Sequence, residues 1–367
     1  MKDRDNRMFN SVFKKIIVVV TFSLVILNVY AQETLIFAFD IIRHGDRTPL
    51  LAMPNSTYPW TEGMGQLTAR GMRQELQRGD LFRKRYIQQY HLLPVHYQTG
   101  TMYVFSTDFD RTLMSAQSVL IGLYGLGSGP RLSTGQPALP VLFQPIPIHT
   151  QPKKSDPFVD DDNDPVKYKE RVDQFVTLQS AWKQKTNEIQ AKFKHWNEAT
   201  GLTLTDLDQL GVLADTLHIY EMHRIPLPAG LSHEDAEEII RVGLWGYVTK
   251  YKTPEIANIV GVPLLLKIAD YFNTVVQPHR DEQKTPLKYV LFSAHDTTIL
   301  STMTTLGTPL DEQPPYASNL NFSLFKTDAG DYIVRVSYND KPVNICNAGS
   351  CSLDQFMQLV GYHPQDN

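Results

Sequence analysis

The sequence predicts an α/β fold: a three-layer α/β/α domain with a mostly parallel sheet, and an inserted, mainly helical cap. Three observations point there. Short strand-like runs at residues 35–42, 102–108 and 289–293 each end in polar or charged residues and lead towards a helical pattern. The order β-α-β-α fits a sheet covered on both faces. Between the second and third runs, residues 166–277 show helical periodicity and little strand character.

Each element has its own warrant. "ETLIFAFDIIRHGDR" is a continuous apolar strand, Leu35 to Ile42, running into a loop, as in a parallel strand buried on both faces. "GQLTARGMRQELQRGDLFRKRYIQQY" follows as a helix, with Met72, Leu76, Leu81, Phe82 and Ile87 expected on its apolar face. "MYVFSTD" is a second strand and "RTLMSAQSVLIGLYG" the helix after it. Residues 128–165 are rich in Pro and Gly. Val176, Trp182, Ile189, Phe193 and Trp196 share one helical face that Gly201 ends, and Ser232 with Asp235 forms a capping pair. "KYVLFSAHDTTIL" restores the sheet and starts another helix. "NLNFSLFKTDAGDYIVRVSYN" is an antiparallel hairpin about Asp328-Ala329-Gly330, and "SLDQFMQLV" a closing helix. The expected division is 1–31 as a signal peptide, 32–144 with 241–367 as the α/β domain, and 145–240 as the helical insertion.

The N-terminal expectation rests on Lys14-Lys15, the apolar run "IIVVVTFSLVILNV" and small residues Val29 and Ala31 before a cut after Ala31. An uncleaved anchor is the competing reading, and Met8 is a second candidate start. Residues 1–31 hold five of the 35 Lys/Arg and two of the 39 Asp/Glu, so the remainder carries 30 and 37, formally −7. No basic tract stands out, so nucleic-acid binding is not expected, nor is stable membrane association once the signal is cut. The two cysteines, Cys346 and Cys351, are expected to pair in an oxidising compartment. The bond closes a short ring and contributes about 2 kcal/mol on a chain-entropy argument. With no nearby His, a zinc site there is not expected.

The chemistry lies where the three strands end. Arg43, His44, Gly45, Asp46 and Arg47 follow the first strand, Asp108 to Arg111 the second, and His295-Asp296 the third. Ligands of open α/β sheets sit beyond the carboxyl ends of strands. Three Arg, two His and an Asp gathered there suit a phosphomonoester, whose oxygens Arg forks bind bidentately. Gly45 would let backbone approach the anion. Neighbouring Arg charges would hold a His unprotonated and nucleophilic, and a protonated Asp could serve the leaving alkoxide. The Arg cluster supplies positive charge, so no metal or other cofactor is expected.

"RHGDRTP", "GMGQLTARG", "STDFDRTLMSA", "SAHDTT" and the late "PPYAS" together resemble the histidine acid phosphatases, branch two of the histidine phosphatase superfamily, over essentially the whole chain after residue 31. Asp46 and "HDTT" look more like the prostatic type than the phytases. The resemblance implies His44 as the nucleophile that forms a phosphohistidine. It implies Arg43, Arg47, Arg111 and His295 as phosphate ligands, and Asp296 as proton donor. It also implies a periplasmic or secreted acid phosphatase of broad phosphomonoester specificity, in a family whose members often form homodimers. The mammalian members carry more disulfides, and only the "CNAGSC" pair remains here; with the signal layout this suggests a bacterial source.

Blander roles stand beside these. Arg111 could pair with Asp108 or Asp110. Asp296 could be a helix N-cap. Asp46 is read as orienting the Arg side chains. The other nine His, including His218 and His223, are read as structural or surface. "DDDND", residues 160–164, lacks the Gly and terminal Glu of a calcium loop and is read as a solvated acidic loop. A phytase, a phosphotransferase and a non-catalytic binding protein are the rival functions; a phytase needs a strongly basic pocket, and no further Lys/Arg cluster stands out.

Overall fold

The computed structural model describes residues 33–159, 164–277, 286–346 and 351–363. The expected signal segment, most of the acidic loop and the termini of the chain lie outside them. Seven strands among the described residues form one sheet. They are β1 (Glu33–Arg43), β2 (Met102–Ser106), β3 (Tyr289–Ala294), β4 (Asn319–Thr327), β5 (Tyr332–Tyr338), β6 (Lys341–Val343) and β7 (Cys351–Ser352). The order is β2-β3-β1-β4-β5-β6, with β7 also on β5. β1, β2 and β3 are parallel, and β4 to β7 continue the sheet antiparallel. β3, the last of the parallel strands in sequence, inserts between the other two, so the ends of all three come side by side.

Ten α-helices accompany the sheet among the described residues: α1 (Ala69–Phe82), α2 (Asp110–Tyr124), α3 (Pro165–Val172), α4 (Ser180–Ile189), α5 (Phe193–Thr200), α6 (Leu207–His223), α7 (His233–Lys252), α8 (Pro254–Val276), α9 (Asp296–Thr305) and α10 (Leu353–Val360). One face of the sheet packs Ala38, Ile42, Val104 and Leu291 against Phe82, Tyr86 and Val119. The other packs Phe37, Phe39 and Phe292 against Leu264, Ile268 and Phe272 of α8 and Ile299 of α9. α8 is long and apolar enough to cross a membrane by length and composition; here its apolar side is sheet core. A third core unites α4 to α7 through Trp182, Trp196, Leu213, Leu217 and Ile239. α7 runs unbroken through residue 240, where the insertion was expected to end.

Several local expectations meet the structure directly. Ser232 caps α7 with a full capping box to Asp235. Gly201 ends α5 in the left-handed region at φ 78°. Val176, Trp182, Ile189, Phe193 and Trp196 are all buried, although the continuous helix expected there is broken into a π turn, α4, a 3-10 turn and α5. Cys346 and Cys351 form a disulfide.

One expectation fails in part. The apolar face predicted for α1 holds only at its end: Phe82 and, beyond the helix, Ile87 are buried, whereas Met72 and Leu81 are exposed. The buried positions are Gly71, Glu75, Gly79 and Phe82. Close backbone approach selects that face. A Cβ on Gly79 would lie 2.1 Å from the Val119 carbonyl oxygen of α2, and one on Gly122 would lie 2.2 Å from that of Leu76. Glu75 lies in this seam with both carboxyl oxygens lacking a hydrogen-bond partner among the described residues. Burial pushes its pKa well above the ordinary range, with Arg78 only partly opposing it, which favours the neutral acid.

Candidate active site

The end of β1 enters the site through backbone bonds on both sides. Arg43 N–H donates to the Ser318 carbonyl (2.9 Å), His44 N–H to that of Ala294 at the end of β3 (3.0 Å), and Ala317 N–H to that of His44 (3.2 Å). Next comes a contact between two backbones. A Cβ on Gly45 would stand 2.4 Å from the Gly71 carbonyl oxygen, and one on Gly71 would stand 2.2 Å from that of Asp46. Gly45 N–H donates to Ser115 Oγ (3.2 Å). Gly45 therefore serves the seating of this loop on α1, a requirement the sequence reading did not see, and its N–H is taken by Ser115.

His44 Nδ1 lies 2.8 Å from the Gly45 carbonyl oxygen. A carbonyl only accepts, so Nδ1 carries the hydrogen and Nε2 keeps its lone pair. Burial, followed by Arg111, Arg43 and Arg47, holds the His44 pKa well below the usual imidazole value. The ring is neutral. His295 stands 5.6 Å away, centroid to centroid. Its Nε2 meets Thr107 Oγ1 at 3.0 Å, and burial, followed by Arg111, depresses its pKa as well.

The three guanidiniums are held differently. Arg43 pairs with Asp296 at 2.9 Å, donates to the Pro314 carbonyl, and lies 4.1 Å over the Tyr316 ring. Arg47 makes a two-pronged bond to Asp215 at 2.9 and 3.0 Å. Burial opposes the Arg47 charge, but Asp215, with Tyr316 and Asp296, more than offsets it, so its pKa is raised. Arg111, in the first turn of α2, lies 4.5 Å over the Phe109 ring. No ion pair joins it to Asp108 or Asp110 among the described residues. Burial, with Arg47 nearby, lowers its pKa to about 10. The Nε atoms of all three are buried without a hydrogen-bond partner among the described residues. Buried donors of charged groups are seldom left so.

Asp296 is the first residue of α9 and not its N-cap, which is His295. Its Oδ1 accepts from Tyr247 O–H and from the Thr297 N–H, both at 2.9 Å. Its Oδ2 accepts from Gln313 Nε2 (2.6 Å) besides Arg43. Burial favours protonation of this carboxyl, but Arg43 and Arg47 outweigh it and hold the pKa below the ordinary value.

Asp46 does not orient the arginines, as was expected from the sequence. Its carboxylate accepts from Thr68 O–H (2.5 Å) and from His223 Nε2–H (2.9 and 3.0 Å). Thr68 in turn caps α1. His223 is therefore not a remote structural histidine. Asp215, Tyr247, Gln313 and Tyr316 are the other residues the sequence reading missed. Asp215 had one visible signal, a lone carboxylate amid the apolar run "LGVLADTLHIY".

His44, Arg47, Arg111, His295 and Asp296 line a cavity of about 390 Å³. Its far wall is Leu207, Val212, Leu244, Tyr247 and Tyr251, with Lys250 tied to Asp208 at 2.8 Å. Such a cavity can hold an anion at one end and an organic group at the other.

Comparison with known proteins agrees with this architecture. The family profile of the histidine phosphatase superfamily (branch 2) matches residues 34–339, and the chain belongs to that superfamily. Within it, the curated relatives it resembles are acid phosphatases. Bos taurus lysosomal acid phosphatase is 32% identical over 343 residues, covering 89% of this chain and 78% of that protein. Bos taurus prostatic acid phosphatase is 32% identical over 360 residues, covering 91% and 86%. Among solved structures, the apo phytase of Hafnia alvei shares the fold with a TM-score of 0.64 at 19% identity, over 90% of this chain and 97% of that one.

Proposed function

We propose that the chain is an exported acid phosphatase that hydrolyses phosphomonoesters in two steps through phospho-His44. The observation that carries this is the neutral His44, its Nε2 lone pair free, among three guanidiniums with orphaned Nε donors. Arg43, Arg47, Arg111 and His295 would hold the phosphate. In the first step Nε2 forms a bond to phosphorus while the ester P–O bond breaks, and Asp296 delivers a proton to the departing oxygen. In the second, water attacks phosphorus, Asp296 takes its proton, the N–P bond breaks, and neutral His44 returns.

Charge explains how Asp296 comes to hold a proton. Arg43 and Arg47 hold Asp296 ionised in the empty site. A bound phosphomonoester dianion sets two negative charges among those same guanidiniums and beside the Asp296 carboxylate, and repulsion between them favours protonation of Asp296. Substrate thus raises a pKa that the empty site keeps low, and acid pH favours the competent form.

A phytase-type activity is the alternative that the solved neighbours raise. The apolar far wall and the already paired Lys250 favour a smaller, less charged leaving group. Phosphate release from p-nitrophenyl phosphate and from phytate, across acid to neutral pH with chelator present, tests the reading. Acid activity on the aryl ester that chelator spares and His44→Ala abolishes is expected. Turnover retained in His44→Ala, or removed by chelator, overturns it.

A further inference from the structure

Two helices from outside the sheet hold the active site. α6 supplies Asp215 to Arg47 and His223 to Asp46, two adjacent residues of the active-site loop. α7 supplies Tyr247 to Asp296. α6 and α7 touch backbone to side chain: a Cβ on Gly243 would stand 2.4 Å from Ala214 Cβ and 2.8 Å from the Leu210 carbonyl oxygen. Gly243 is one turn before Tyr247, and Ala214 directly precedes Asp215. The two helices are further fixed by a shared core of Leu210, Leu213, Leu217, Ile239 and Val242. A shift of this pair would displace the partners of Asp46, Arg47 and Asp296 together.

We propose that Asp215 and His223 are positioning residues for catalysis. Asp215 sets the direction of the Arg47 fork. His223, through Asp46, fixes the loop that presents His44. Asp46 is buried, and its other side-chain partner, Thr68, is the N-cap of α1. His223 therefore ties α6 to a junction where β1 ends and α1 begins. A guanidinium without an orienting carboxylate samples several rotamers, and fixing it costs entropy on binding. Asp215 removes that cost in advance.

The test rests on the phosphatase reading and uses the full chain. Wild type, Asp215→Ala, His223→Leu, His223→Gln, Asp46→Ala and the double variant Asp46→Ala/His223→Leu are compared for kcat, KM and competitive inhibition by inorganic phosphate, with active sites counted by the phosphoenzyme burst. A charge-assisted hydrogen bond corresponds to roughly 10- to 100-fold in an equilibrium. Asp215→Ala is expected to weaken phosphate inhibition by at least about tenfold. His223→Leu is expected to lower kcat per active site by about as much, His223→Gln to restore most of it, and the double variant to be no worse than Asp46→Ala alone. Loss of folded protein reduces the count of active sites and leaves KM and phosphate inhibition per site unchanged. Should Asp215→Ala and His223→Leu show only that, or should the double variant be additive, the proposal is overturned. An inactive wild type would instead overturn the phosphatase reading.

Discussion

Asp296 Oδ2 lies 2.9 Å from Arg43 Nη2, and both side chains are buried. The proposed proton donor is therefore locked to a proposed phosphate ligand, whose charge favours its ionised form. Removing the Arg43 charge takes away the largest of the influences that oppose burial, so the Asp296 pKa rises. A general acid works only while protonated, so activity falls as pH rises through that pKa. Arg43→Met is expected to move the alkaline limb of kcat/KM to higher pH while lowering its plateau. Tyr247→Phe removes a hydrogen bond that favours the carboxylate and should move the limb the same way by less. A limb that moves down or stays still in both variants would count against Asp296 as the acid.

The same role predicts a dependence on leaving group. p-Nitrophenolate departs without a proton, whereas an alkoxide requires one. Asp296→Asn is expected to lower kcat on an alkyl phosphate by about 10² or more, and to affect the first step on p-nitrophenyl phosphate far less. Pre-steady-state bursts on the two esters measure this. Equal losses in the burst rate would show that Asp296 does not protonate the leaving group.

His44 is neutral because burial and three guanidiniums depress its pKa. Protonation of the nucleophile should therefore not limit the enzyme in mild acid. The phosphoenzyme burst rate on p-nitrophenyl phosphate is expected to persist from pH 6.5 to pH 5, where an ordinary imidazole becomes mostly charged. A decline following an apparent pKa near 6.5, with substrate ionisation corrected, would place a charged His44 in the resting site.

Glu75 makes stability itself depend on pH. Its folded-state pKa is raised, so the folded state holds a proton that the unfolded chain releases above about pH 4.3. The stability it allows is present below that pH and is lost as pH rises towards the folded value. Glu75→Gln keeps the shape and removes the ionisation. It should raise Tm at pH 7.5 and change it little at pH 4.5, by calorimetry. An equal gain at both would mean that Glu75 does not titrate in this window.

Strands and strand-end motifs were legible in the sequence because both are local. Leu35 to Ile42 is a continuous apolar run, and a buried strand needs nothing more to announce itself. Arg43, His44, Arg47, Arg111, His295 and Asp296 then follow from where strands end. Phe82 on the buried face of α1 was legible, but Gly71 and Gly79 were not, because they are selected by a neighbouring backbone and carry no apolar signal. Nor was Asp215 or His223, whose partners lie 168 and 177 residues away. The seating role of Gly45 was missed for the same reason. A glycine beside an anion site and a glycine beside a helix look alike in one dimension.

The Gly45–Gly71 contact separates what can diverge from what cannot. With no side chain between loop and helix, no rotamer change there can move the nucleophile, and any added atom displaces it. The far wall of the cavity is built from Leu207, Val212, Leu244 and Tyr251, side chains that can be exchanged without touching that seam. A lineage, or an engineer, can therefore search leaving-group preference at an exposed far-wall position such as Val212 while the phosphate half is inherited intact, whereas the buried Leu207 and Tyr251 also belong to the core that contains α6 and α7.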